Sequence, residues 1–191
     1  SELANREILS TPINTSRRKL IGYFLDNGDK PNLDFPQDKF PPEKAIYLSL
    51  ARNTGIHGPT KESEFVFGFH EPTEESFLPV WRACMAFLEA SKQAKQNVAK
   101  LYKELGARPF KMKKGFLDFW IPLFLIANKE DFALFHADNG YVPYLTQNVL
   151  DLIHKAPEKY FIRTYDLEGV NSKILDSYNS LLQVNPDQRK G

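Results

Sequence analysis

The residues of this chain best suited to chemistry are basic side chains that lie close together in the sequence. Residues 92–114 contain eight basic residues and a single acid, Glu104, although the whole chain carries a formal net charge of only +1. Such a local excess of positive charge can neutralise the phosphates of a nucleic-acid backbone. The candidate nucleic-acid-binding residues are therefore Lys92, Lys95, Lys100, Lys103, Arg108, Lys111, Lys113 and Lys114. The alternative is that these side chains only solvate a helix face.

No other residue pattern indicates a reaction. The sequence has no G-x-x-x-x-G-K-[ST] loop, no G-x-G-x-x-G loop and no G-x-S-x-G nucleophile elbow. The histidines, at positions 57, 70, 136 and 154, lack metal-ligand spacing, and Cys84 is the single cysteine. We predict no catalytic residue, no metal site and no cofactor, and hence a chain that is not an enzyme.

The composition is typical of a water-soluble domain. Hydrophobic residues make up 42% of the 191 positions and charged residues 26%. The lone cysteine favours a cytoplasmic setting, and we expect no membrane partner. The two ends are typical of a fragment cut from a longer protein, since Ser1 replaces an initiator methionine and residues 185–191 are polar. A complete protein released from a tag is the alternative.

The basic residues precede a segment that we expect to form the centre of the fold. Residues 116–128 are apolar on every side, which is typical of a buried helix. The turn residues 138–140 lie between two β-prone runs and predict a hairpin. A buried helix followed by a hairpin is typical of a winged-helix domain.

The order of predicted elements suggests that this unit occurs twice. Residues 2–70 and residues 77–144 each contain helical segments followed by strand-forming residues. We therefore predict a mainly helical α+β fold made of two winged-helix-like units in tandem, residues 1–72 and residues 73–191, the second with extra helices and a strand. One continuous α+β domain is the alternative.

The predicted central helix is poorly suited to reading DNA sequence. In a winged helix the third helix enters the major groove and presents polar side chains to base edges. Here that helix has only Asp118 and Asn128 as polar residues. This leaves sequence-independent contact with a phosphate backbone, or a packing role between larger parts.

Several phrases of the sequence resemble a known family. They are Ala4–Ile8, Phe40–Tyr47, Leu78–Trp81, Arg108–Gly115 and Phe132–Pro143. Together they are similar to a helical and winged-helix region of very large bacterial ATP-dependent proteins from phage-defence islands of the BREX-like type. The resemblance implies an ATPase elsewhere in the parent protein and a setting around foreign DNA.

The function we expect is therefore that of a non-catalytic module of a large bacterial defence ATPase. It would contact nucleic-acid backbone through the Lys92–Lys114 segment without sequence specificity, and pack against other domains or subunits of the parent assembly. The alternative is a protein–protein interaction scaffold within the same ATPase or with a partner subunit.

Overall fold

The helices occupy most of the structured chain. The computed structural model describes residues 11–165 together with Ile174, Ser177 and Ser180. Its α-helices are α1 (Thr11–Asn27), α2 (Pro42–Tyr47), α3 (Leu78–Ala90), α4 (Val98–Gly106), α5 (Lys114–Ala127) and α6 (Gln147–Lys155). The mainly helical α+β class predicted from the sequence is confirmed. The sequence pattern also predicts helices at residues 2–10 and 170–184. The first lies outside the described residues, as does most of the second.

The strands form two antiparallel sheets in the described part of the chain. They are β1 (His57–Pro59), β2 (Phe67–Phe69), β3 (Gln96–Asn97), β4 (Phe132–His136), β5 (Gly140–Val142) and β6 (Tyr160–Thr164). β1 pairs with β2, and the larger sheet has the order β3-β6-β4-β5. The hairpin predicted at residues 138–140 is confirmed as β4–β5, with Phe135 opposite Tyr141 and Gly140 at a φ of 73°.

The predicted central helix is α5, and its burial is confirmed. Trp120 is 1% exposed and Phe124 is 0% exposed. From α3, the indole of Trp81 meets both rings edge-on, at centroid distances of 6.1 and 5.2 Å. Interlocking aromatic rings of this kind supply much of the apolar area that a core removes from water.

The sequence predicts helix caps at Thr146, at Asn14 or Thr15 and at Thr73, because threonine and asparagine favour that position. Thr146 caps α6 as predicted, since its Oγ1 accepts a hydrogen bond of 3.2 Å from the Val149 amide. The predicted cap at Asn14 or Thr15 is wrong, because α1 begins earlier and the Thr15 hydroxyl donates to the Thr11 carbonyl within the helix. Thr73 is not a cap either, since its hydroxyl donates to the carbonyl of Thr54.

The core is continuous across the predicted boundary at residues 72 and 73. The same cluster of buried side chains contains Leu20 and Phe24 of α1, Trp120 of α5 and Ile162 of β6. α1 also contacts both α5 and α6. The boundary itself and the tandem winged-helix arrangement stay predictions.

A candidate nucleic-acid interface

The predicted basic residues follow the path of the chain around α4. Lys92 and Lys95 lie between α3 and β3, and Lys100 and Lys103 lie on α4. Arg108, Lys111 and Lys113 occupy the loop between α4 and α5, and Lys114 is the first residue of α5. Seven of the eight are exposed, and Lys92 is half-buried. The set therefore lies on the outside of the fold.

The residues before α4 already have partners. Lys92 Nζ is 2.8 Å from Glu89 Oε2. Lys95 Nζ lies 3.9 Å from the centre of the Phe135 ring on the large sheet, at cation–π distance. Because α4 has nine residues and rises about 13 Å, these two lysines lie at the opposite end of α4 from the loop that follows it. The fold thus separates Lys92, Lys95 and Lys100, which lie before α4 or in its first turn, from the basic residues at the far end of α4.

The second group is the strongest candidate for meeting a polyanion, and we call it the basic edge: Lys103, Arg108, Lys111 and Lys113. All four are exposed, and none forms an ion pair with a carboxylate among the described residues. Since Lys103 lies in the last turn of α4, the negative end of the helix dipole favours its charge.

Backbone hydrogen bonds fold the loop back on α4 and so hold the basic edge in place. The Lys111 amide donates to the Ala107 carbonyl at 2.8 Å, and the Met112 amide donates to the Leu105 carbonyl at 2.9 Å. Lys111 itself has a φ of 52°, in the left-handed region. The loop is therefore a defined turn that holds its charges beside the end of α4.

Lys114 differs from the basic edge because it binds a buried acid. Its Nζ lies 3.0 and 2.9 Å from the two carboxylate oxygens of Asp118, one turn further along α5. The Asp118 side chain is 0% exposed, whereas Lys114 is 49% exposed. On the other side of the carboxylate, His154 Nδ1 of α6 is 3.1 Å from Asp118 Oδ1. The negative charge is thus enclosed, while the cation faces solvent.

Burial and charge act on Asp118 in opposite directions. Removal from water raises the pKa of its carboxyl, because burial disfavours the charged form. The side-chain contacts from His154 and Lys114 and the positive charge of Lys114 lower the pKa more, so it lies below its usual value. Asp118 is therefore held as a carboxylate within the fold.

Asp118 and His154 were not among the predicted site residues. In the sequence, Asp118 is a polar residue of the predicted central helix, and His154 lacks the spacing of a metal ligand. The spacing of Lys114 and Asp118, four residues apart on one helix, was the available signal for this pair. No spacing could have paired His154 with Asp118, since α5 and α6 are separated by the β4–β5 hairpin.

The other reactive side chains serve the core. Cys84 is fully buried, and burial raises the pKa of its thiol to about 12, so it is protonated and unreactive at neutral pH. His57 is buried between the hydroxyl of Tyr47 and the carbonyl of Gly28, each 2.9 Å away. The described residues hold no group of three or more histidine, cysteine or acidic side chains that could bind a metal ion.

None of the helices in the described part of the chain combines the length and apolar character needed to cross a membrane. No protein-family model matches the sequence, and no curated protein or solved structure is significantly similar to it.

Proposed function

We propose that this chain is a non-catalytic module that contacts a nucleic-acid backbone without sequence specificity. The observation that carries the proposal is the basic edge, where Lys103, Arg108, Lys111 and Lys113 are exposed and lack carboxylate partners in the described part of the chain. Cations in this state remain able to displace the counterions of a phosphate backbone, which drives non-specific binding.

The burial of α5 supports the absence of sequence specificity. Asp118 is enclosed by Lys114 and His154, and Asn128 is 8% exposed and donates to the carbonyl of Phe124. The two polar residues of the predicted central helix are therefore held inside the protein and cannot reach base edges, and the other charged residue of α5, Lys114, pairs with Asp118. In this proposal the chain consists of two winged-helix-like units, 1–72 and 73–191, and the β4–β5 hairpin is the wing of the second.

The cellular setting of the proposal comes from the sequence resemblance alone. It places the module in the cytoplasm of a bacterium, as part of a large phage-defence ATPase. The second candidate is a protein–protein interaction scaffold in the same assembly. Exposed aromatic side chains favour this alternative, since Phe65 is 83% exposed and Phe40 is 76% exposed. Aromatic side chains in such positions are common at protein interfaces.

Salt dependence separates the two candidates. If the four cations of the basic edge neutralise four phosphates, the affinity for duplex DNA falls about a hundredfold between 50 and 200 mM salt. Fluorescence anisotropy with two labelled duplexes of unrelated sequence measures this, and both should bind equally. If neither duplex binds at low salt, the proposal is overturned and the scaffold is the remaining candidate. Binding of a protein partner by such a scaffold should depend little on salt, because the interface would be formed mainly by aromatic contacts.

A further inference from the structure

A cleft between α1 and α6 concentrates positive charge in a place that the basic edge does not include. The cleft has a volume of about 890 Å³. Its charged lining consists of four cations, Arg17, Arg18, Lys19 and Lys155, with His154 and a single carboxylate, Asp151. The neutral lining is largely polar and includes Asn14, Thr15, Gln147 and Asn148. Such a lining favours an anion over a cation or an apolar ligand.

The carboxylate of Asp151 is half-buried beside the cations and offsets only part of their charge. Asp151 accepts hydrogen bonds from Arg17 Nη2 at 3.3 Å and from Arg18 Nε at 3.0 Å, and its side chain is 14% exposed. The side chains of Arg18 and Lys19 are 62% and 60% exposed. Lys19 Nζ is 3.9 Å from Oε1 of Glu43, whose side chain is 7% exposed. Positive charge therefore faces the open side of the cleft.

Arg17 adds a buried positive charge to the wall of the cleft. Its side chain is 4% exposed and lines the cleft. Asp151 accepts a hydrogen bond from one of the three guanidinium nitrogens, Nη2, while Nε and Nη1 are buried and have no hydrogen-bond partner among the described residues. Because Asp151 is shared with Arg18, it offsets the positive charge of Arg17 only in part, and the remaining charge favours an anion in the adjoining cleft.

The cleft is also adjacent to the basic residues around α4. Lys114, at the end of the α4–α5 loop, and His154, in the wall of the cleft, bind the same carboxylate of Asp118. A chain of phosphates that contacts Lys111 and Lys113 could therefore continue past Lys114 into the cleft.

We infer that the cleft between α1 and α6 is a binding site for a phosphate group, held by Arg18, Lys19 and Lys155 at its mouth with Arg17 at its base. This goes beyond the proposed function, because the site would bind phosphate whether or not the basic edge binds nucleic acid. The phosphate could belong to a nucleic-acid strand or to a small phosphorylated molecule.

Neutralising the mouth of the cleft tests the inference. The variant is Arg18→Gln, Lys19→Gln and Lys155→Gln in the full chain. The matched control, Lys30→Gln, Lys61→Gln and Lys129→Gln, removes three exposed cations that lie outside the cleft. Each protein is titrated with inorganic phosphate at constant ionic strength, and the amide chemical shifts of residues 15–19 and 147–155 are followed by NMR. Each is also titrated with labelled duplex DNA.

We expect saturable phosphate shifts in the wild type and the control, and at least a tenfold weaker response in the cleft variant. A parallel tenfold loss of duplex affinity in the cleft variant, beyond that of the control, assigns the phosphate to a nucleic-acid strand. Unchanged duplex affinity assigns it to a small phosphorylated molecule. The inference is overturned if the cleft variant and the control respond alike to both probes. If only the proposed nucleic-acid function is wrong, none of the three proteins should bind the duplex, and the wild type and the control should still bind phosphate.

Discussion

Replacing Phe124 with alanine is expected to lower the free energy of unfolding by about 3–5 kcal/mol. Phe124 is 0% exposed in the last turn of α5, and its ring packs against the indole of Trp81. The substitution removes this contact and leaves a cavity that a close-packed interior fills only in part. Urea unfolding followed by circular dichroism measures the loss, which is a large fraction of the total stability of an ordinary domain.

The matched control is Phe65→Ala, the same chemical change at a side chain that is 83% exposed. We expect this variant to unfold within about 0.5 kcal/mol of the wild type. If Phe124→Ala were no more destabilising than Phe65→Ala, α5 would not be the buried centre of the fold.

Replacing Asp118 with asparagine is expected to cost roughly 1.5–3 kcal/mol at neutral pH, the usual range for a hydrogen bond to a charged group. The carboxylate lies between Lys114 and His154, and an amide lacks the negative charge that pairs with the Lys114 ammonium. Lys114 is 49% exposed and can return to water, which keeps the cost below that of stranding a fully buried charge. Glu104→Gln, at a half-exposed acid that pairs with Lys100 at 3.8 Å, should change stability by less than about 0.5 kcal/mol.

The loss of unfolding free energy caused by Asp118→Asn should become smaller as the pH falls. Because the pKa of Asp118 is lower in the folded chain than in the unfolded chain, its carboxylate stabilises the fold above the unfolded pKa of about 3.9. That contribution is lost as the pH falls through the lower, folded pKa. Unfolding at a series of pH values should therefore show a constant difference from the wild type above about pH 5, narrowing below about pH 4. A difference that widened in acid would contradict the assignment.

The sequence predicted the parts of this fold that depend on local pattern. The apolar character of α5 predicted its burial, the Asp138-Asn139-Gly140 turn predicted the β4–β5 hairpin, and Thr146 predicted the start of α6. Each of these features is decided within a few residues, by hydrophobicity, turn geometry or a single capping hydrogen bond.

Long-range pairing could not be predicted in the same way. Arg17 and Asp151 are 134 positions apart, and only the packing of α1 on α6 brings them within 3.3 Å. The same packing forms the cleft, whereas the local sequence shows only three consecutive basic residues, Arg17, Arg18 and Lys19. Likewise, charge counting could not show that Lys92 and Lys114 are partnered by acids while Lys111 and Lys113 are without an ion pair in the described part of the chain.

Reversing the charge of the basic edge tests directly whether this surface binds nucleic acid. The variant is Lys103→Glu, Arg108→Glu, Lys111→Glu and Lys113→Glu, and the measurement is duplex affinity at 50 mM salt. Losing four contacts of about 1 kcal/mol each predicts an affinity about a thousandfold weaker.

The matched control is Lys30→Glu, Lys39→Glu, Lys61→Glu and Lys129→Glu, which makes the same change in net charge at four exposed lysines outside the edge. We expect the control to bind the duplex with an affinity at least a hundredfold higher than that of the edge variant. Equal duplex affinities for the two variants would show that overall charge determines binding. That result would contradict the proposal that the basic edge contacts nucleic acid.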